Sequence, residues 1–262
     1  DVRRVTITEE DLALEDGSQM SGLAVGDTVT MDQLFHALLI YSANDAAMAI
    51  ARQVGGSVEN FVQMMNDKAA SLAMTGTHFA NPHGLHNENH YTTAYDVYLM
   101  LYAAYQHTEF QNTMSMSSYT LNMTHADGTA GTIYLSSTDK YLTGEKNAPE
   151  NVTVLGGKTG TTDEAGSCLA LVSQNAYGEP FISVILHAYN KSGTVRGHEH
   201  FFFPISTPDV IFYNSPGRRF FCLSGRLSYP FRKTELLSLR IRRFFQNFFH
   251  FTIENVGELY YN

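Results

Sequence analysis

Two short clusters, Ser42-Ala43-Asn44 and Lys158-Thr159-Gly160-Thr161, hold the residue types that acyl transfer through a serine needs. That reaction asks for a nucleophile, a proton path, donors for a developing oxyanion and a grip on the substrate. The Ser42 hydroxyl both donates and accepts, so it can pass a proton towards a leaving amine. The Asn44 amide has two N–H donors and a carbonyl, enough to fix a neighbouring lysine and a substrate amide together. Lys158 offers a cation to a substrate carboxylate, with the hydroxyls of Thr159 and Thr161 beside it. Gly160 has no Cβ and lets a ligand approach the backbone. A strand edge carrying these residues could also pair with an extended peptide through backbone hydrogen bonds.

Each cluster alone is a weak signal. Ser42-Ala43-Asn44 by itself reads as a helix-capping turn. Gly156-Gly157-Lys158-Thr159-Gly160-Thr161-Thr162 also suggests a phosphate loop, but Walker spacing wants an earlier glycine where Val152 or Thr153 stands, and a helix afterwards. A strand-like run follows instead, which removes that reading. One Ser-x-x-Lys exists, Ser137-Thr138-Asp139-Lys140, but no apolar helix follows to bury its lysine and lower the pKa. It reads as a surface turn. His83-x-x-His86-x-x-x-His90 has spacing a metal could use, yet no Cys or carboxylate joins it on a defined element, so a structural role is expected. Asn122-Met123-Thr124 and Asn151-Val152-Thr153 match glycosylation acceptors, which matter only in a eukaryotic secretory setting and are not read as sites.

Positioning such groups takes a sizeable scaffold, and 262 residues suffice for one. The net charge of −9 gives no reason to expect a nucleic-acid partner. No apolar run approaches the roughly 18 residues that span a bilayer. The chain starts at Asp1 without a basic-then-apolar leader, as a processed product or fragment would. Cys168 and Cys222 are too few for a disulfide framework and read as unpaired thiols. Composition changes near residue 193: residues 1–193 hold 8 Lys+Arg against 21 Asp+Glu, while 194–262 hold 9 against 5 and 12 of the 17 phenylalanines. Two segments, 1–193 and 194–262, are therefore expected.

Within the first segment, Val5 to Thr8 alternates as a strand, and a Gly- and Ser-containing stretch runs from Asp16 to Gly26. Thr30 with Gln33 forms a capping box, opening a helix whose inward face is Leu34, Ala37, Leu38 and Tyr41. Asp45 to Val54 is helical until Gly55-Gly56, and Ser57 caps a helix with Phe61, Met64, Met65, Lys68 and Leu72 on one face. Thr93 to Gln106 reads as another, with Val97, Met100, Leu101 and Ala104 inward. Strand formers then dominate at 118–121, 152–155, 167–172 and 181–186, with a hairpin turn at Asn175 to Gly178. Together these predict a helical region packed on an antiparallel sheet, an α/β (α+β) fold, with Ser42-Ala43-Asn44 at a break between helices and Lys158-Thr159-Gly160 at a strand end.

The longer stretches sharpen this. Gln33 to Phe35, Ser42 to Ala47, Val54 to Ser57, Thr77 to Leu85, His90 to Asp96 and Lys158 to Thr162 follow in family-like order and spacing. From about Val5 to Ala188 the chain resembles the D-alanyl-D-alanine carboxypeptidases among the low-molecular-mass penicillin-binding proteins. The resemblance implies a β-lactamase/DD-peptidase-like fold and an extracytoplasmic enzyme that removes the terminal D-Ala of peptidoglycan stem pentapeptides through a serine acyl-enzyme, with no metal or other cofactor. It makes Ser42 and Asn44 catalytic, sets Lys158 and Thr159 on the substrate carboxylate beside Gly160, and makes the Thr161 N–H half of the oxyanion hole. His83 and His90 would belong to a structural loop.

In that family the nucleophile stands in a Ser-x-x-Lys upstream of Ser-x-Asn. Asp1 to Tyr41 contains no lysine, so the nucleophile is expected outside these 262 residues. The chain would then be a central slice, inactive alone and acylated by β-lactams only with that segment restored. After Ala188 the family leads one to expect a helix closing the sheet. Instead comes His198-Glu199-His200-Phe201-Phe202-Phe203 and a basic aromatic stretch, read as foreign to the fold. Leu239 to Phe251 could mimic a membrane-surface helix, although its basic and apolar faces are mixed. Two alternatives stay open: a β-lactamase, against which Ala43 stands where Asp is usual, and a non-catalytic module that binds stem peptides.

Overall fold

The computed structural model describes residues 3–191 and, beyond them, the backbone of three strands at 194–196, 199–204 and 211–213. Strand β1 (Arg4–Thr6), a short α1 (Glu9–Leu12) and β2 (Thr28–Thr30) lead into α2 (Met31–His36). The capping box forms as read: Thr30 Oγ1 accepts from Gln33 N at 3.2 Å, and Gln33 Oε1 accepts from Thr30 N at 2.8 Å. The helix then widens into a π-helical turn, Ala37–Tyr41. Helices α3 (Asn44–Gly55), α4 (Val58–Ser71), α5 (Ala94–Ala104) and α6 (Thr108–Met114) follow. Gly56, at φ 73°, ends α3 in the left-handed conformation, and Ser57 caps α4 through Asn60 N at 3.2 Å.

Strands β3 (Ser118–Thr124) and β4 (Ala130–Ser136) complete a four-stranded sheet ordered β1-β2-β3-β4. The second sheet is built on β5 (Val152–Thr162), β6 (Gly166–Asn175) and β7 (Pro180–Lys191). Backbone pairing adds β8 (Thr194–Arg196), β9 (Glu199–Pro204) and β10 (Ile211–Tyr213), in the order β10-β9-β7-β6-β5 with β8 also on β7. Every pairing is antiparallel. The expected turn after Asn175 joins β6 to β7, with Gly178 N donating to Asn175 O at 2.9 Å. One apolar cluster runs through the helices and both sheets, from Val5 and Val29 through Leu34, Phe61 and Leu101 to Leu121, Val172 and Ile182.

Three expectations need correction. The antiparallel structure is two sheets rather than one. Helix α6 and strand β4 were not anticipated: α6 is only seven residues long, and Ala130–Ser136 is mostly exposed or half-buried, with Leu135 alone fully buried. The face expected on α2 is only half realised. Leu34 and Ala37 are buried, Leu38 and Tyr41 are partly so, and Phe35, Leu39 and Ile40 turn inward instead. The π turn, which adds a residue, rotates Leu39 and Ile40 inward. The face of α5 is as read, with Val97, Met100, Leu101 and Ala104 all buried. Cys222 and the stretch Leu239 to Phe251 lie outside the described residues.

Two close contacts hold the site-bearing elements. Asp11 on α1 is fully buried, and Arg52 on α3 grips it with Nε at 2.9 Å and Nη2 at 2.6 Å while also reaching Thr6 O at 3.0 Å. Strand β5 carries a bulge between Val154 and Gly156. A Cβ on Gly156, whose φ is 150°, would stand 2.3 Å from the Met114 carbonyl oxygen of α6. Gly156→Ala combines that overlap with a disfavoured backbone and should destabilise the fold by at least about 2 kcal/mol. Urea unfolding monitored by circular dichroism would show a lowered midpoint; an unchanged midpoint would mean that α6 and β5 do not meet this closely.

Candidate active site

The Ser42 turn is built by the π-helical segment before it. Ala43 N reaches back to Ala37 O at 3.2 Å, and Ser42 takes a left-handed backbone, φ 68° and ψ 37°, that few non-glycine residues adopt. π turns of this kind recur at functional sites because they displace a side chain from the regular helix face. Gln19 laces the turn from both sides. Its side-chain amide donates to Tyr41 O, and its backbone oxygen accepts from Asn44 N at 2.8 Å. One residue further on, the buried Asp45 carboxylate accepts from Ser21 Oγ at 2.5 Å and from Ser21 N at 3.0 Å. Burial raises its pKa, with the Ser21 bonds pulling the other way.

Lys158 comes to the same place from β5. The residue is 1 % exposed, and its Nζ lies 2.5 Å from Ser42 Oγ and 2.9 Å from Thr159 O. Burial lowers its pKa to about 7, so the amine is near half-protonated at neutral pH. Thr159 Oγ1 donates to Thr138 Oγ1 at 2.7 Å. Gly160 and Thr161 continue β5, opposite Cys168 and Ser167 of β6. Strand β5 ends the order of its sheet, which gives an extended peptide an edge to pair with. Asn44 is fully buried, and neither atom of its side-chain amide has a hydrogen-bond partner among the described residues. An amide left so in the interior is costly unless something else binds it.

Thus Ser42 and Lys158, distant in sequence, meet directly; Asn44 shares the turn; Thr159, Gly160 and Thr161 line the strand. The turn at Ser137 to Lys140 needs a partial correction. Lys140 is exposed and pairs loosely with Glu145 at 3.5 Å, far from the buried setting of a general base. Asp139, however, is buried, and burial raises its pKa. Thr138 N donates to Ile40 O at 3.1 Å, so this turn joins the Ser42 segment to β5 rather than lying on the surface. Thr138, Gln19 and Ser21 were missed. The only signal was indirect: Asp45 is a lone acid in an alanine-rich helical run and had to find a buried donor.

The histidine loop is held by its own bonds. His83 Nδ1 accepts from Leu85 N at 3.2 Å and His90 Nδ1 from Ala80 N at 3.3 Å, while burial lowers the His83 pKa to about 4. A bridge between His78 and Tyr91 closes the loop, and Asp96 clamps its start through Gly76 N at 2.9 Å and Thr77 Oγ1 at 2.7 Å. Among the described residues no three His, Cys, Asp or Glu side chains are placed to hold a metal, and no helix is long and apolar enough to cross a membrane.

The chain is similar to known proteins. The family model described as D-alanyl-D-alanine carboxypeptidase matches residues 2–190. The D-alanyl-D-alanine carboxypeptidase DacF of Bacillus subtilis is 42% identical over 93 residues, covering 36% of this chain and 24% of that protein. The DacC enzyme of Escherichia coli is 31% identical over 185 residues, covering 70% of this chain and 42% of that protein. The chain therefore spans less than half the length of these two relatives. A Streptomyces DD-transpeptidase structure is 26% identical with a TM-score of 0.66, covering 72% of this chain and 74% of that one. A helical region on antiparallel sheets, the Ser42–Lys158 contact and a family match over most of its length place this chain in the D-alanyl-D-alanine carboxypeptidase family, peptidase S11.

Proposed function

We propose that the protein containing this chain is a serine-type D-Ala-D-Ala carboxypeptidase that trims the terminal D-Ala of peptidoglycan stem pentapeptides outside the cytoplasmic membrane. The observation that carries the reading is the 2.5 Å contact between Lys158 Nζ and Ser42 Oγ. It joins the two clusters into one proton path. In the proposed reaction a serine from a Ser-x-x-Lys segment attacks the carbonyl carbon of the penultimate D-Ala. The C–N bond breaks, Ser42 hands its proton to the departing amine, and water later releases the shortened peptide. Asn44, whose amide has no hydrogen-bond partner among the described residues, is suited to hold a lysine and a substrate amide; the Thr161 N–H and that of the nucleophile would hold the oxyanion. β-Lactams would enter as mimics of the same peptide. The extracytoplasmic setting is supported by where peptidoglycan is found.

Lys158 supplies the charge for the carboxylate. An approaching anion favours the protonated amine and draws its pKa back up, so the site charges as the substrate arrives. In a protein that joins this chain to an upstream Ser-x-x-Lys segment, Lys158→Ala should lower kcat/KM for a D-Ala-D-Ala peptide. A charge-assisted hydrogen bond contributes roughly 1.5–3 kcal/mol, about ten- to a hundredfold in rate. A peptide with an amidated C-terminus should be poor for the unmutated enzyme and indifferent to the mutation. Measured D-Ala release that falls equally on both peptides would refute the carboxylate role, and tight peptide binding with no release would favour the binding-module alternative.

A second prediction concerns stability. The unfolded chain holds the Lys158 proton up to the ordinary lysine range, whereas the folded chain releases it near pH 7. Between those values the unfolded state binds more protons, so this group's contribution makes the fold more stable as pH rises and costs most below about pH 7. Lys158→Met removes the titration. Its stability relative to the parent should therefore be most favourable in acid and decline by a few kcal/mol from about pH 7 to about pH 10.5, read from urea midpoints. A pH-independent difference would refute the lowered pKa.

A further inference from the structure

The contact that forms the proton path has the makings of a nucleophile in its own right. A reactive serine is recognised by a base in hydrogen-bond reach, a constrained backbone that presents the hydroxyl, and donors for the oxyanion. Ser42 has Lys158 Nζ at 2.5 Å. It stands in a left-handed turn, φ 68° and ψ 37°, between a π turn and the start of α3. Two residues on, the buried Asn44 amide offers N–H donors that no described residue uses. We propose that Ser42 and Lys158 form a Ser–Lys dyad that accepts small activated acyl and phosphonyl esters as a nucleophile–base pair, an activity separate from the carboxypeptidase chemistry and independent of that reading.

The step is balanced by groups at hand. Ser42 Oγ bonds to the carbonyl carbon, and its proton passes to the neutral Lys158 amine. The carbonyl oxygen becomes the oxyanion and accepts from the Asn44 amide. Collapse breaks the bond to the leaving alkoxide or phenoxide, which takes the proton back from Nζ. Water, deprotonated by the same amine, then releases the carboxylate and restores Ser42. A pKa of about 7 leaves enough neutral amine at neutral pH for this to run. Ser42 is 7 % exposed, which restricts the electrophile to narrow, unbranched groups. A fluorophosphonate would stop the sequence after the first half, with fluoride leaving and a stable phosphonyl serine retained.

The test uses this 262-residue chain with an alkyl fluorophosphonate, followed by intact mass and peptide mapping from about pH 5 to about pH 9. One adduct should form, on Ser42, at a rate that rises with pH and levels above about 7. Ser42→Ala should remain unlabelled, Ser137→Ala should label like the parent, and Lys158→Met, checked for folding by circular dichroism, should label at least about a hundredfold more slowly. Should that variant not fold, the pH profile of the parent still reports the base. No adduct, an adduct elsewhere, a flat pH profile or undiminished labelling of folded Lys158→Met would each overturn the dyad. None of these results touches the D-Ala-release experiment, because a hydroxyl can relay a proton without being acylated.

Discussion

Lys158 brings an amine into the interior with 1 % of the residue exposed, and Ser42 Oγ and the Thr159 carbonyl are its hydrogen-bond partners there. A buried cation without a carboxylate loses most of its hydration and recovers little, which is why the proton is held so weakly. The surrounding elements maintain that position against its cost. The bulge in β5 and the bare Cα atoms of Gly156 and Gly157 let the strand press against α6 and β6. The π turn brings Ser42 to meet it, and Thr138 bridges the two through Ile40 and Thr159.

A second layer of order comes from buried carboxylates that receive loop backbone rather than cations alone. Asp45 holds Ser21, Asp96 holds Gly76 and Thr77, and Asp27 holds Ala24 N at 2.9 Å and His125 Nδ1 at 2.8 Å. Each pins a long connection to a helix or strand end. Loops anchored in this way can carry polar chemistry without fluctuating away from it, since their donors are satisfied only in one arrangement.

Much of this was legible from residue types. Caps at Thr30, Ser57 and Thr93 use local hydrogen bonds, which depend on three or four neighbouring residues and so can be read directly. Ser42, Asn44 and Lys158 could be picked out by type, but each cluster alone was a weak signal, and it is the structure that brings Ser42 and Lys158 together. What was hidden depended on distance or on backbone register. Nothing near Gln19 announces that it clamps Tyr41 and Asn44, and nothing in Thr138 announces Thr159. The π turn was invisible because Ala37–Tyr41 has the composition of an ordinary helix. Its wider winding turns Leu39 into the apolar cluster and buries Ile40 as well.

That winding also constrains how the gene can change. An α-helix turns about 100° per residue, so a segment with one extra residue in its turn differs from a regular helix by that much in direction. Deleting a single codon between Ala37 and Tyr41 would relax the turn to ordinary winding and swing Ser42 away from β5, even though every remaining side chain is apolar and well suited to a helix. Substitutions there can be absorbed by repacking; a change of length cannot. The five residues of the turn are thus a ruler whose count, more than their identity, keeps the hydroxyl over the lysine.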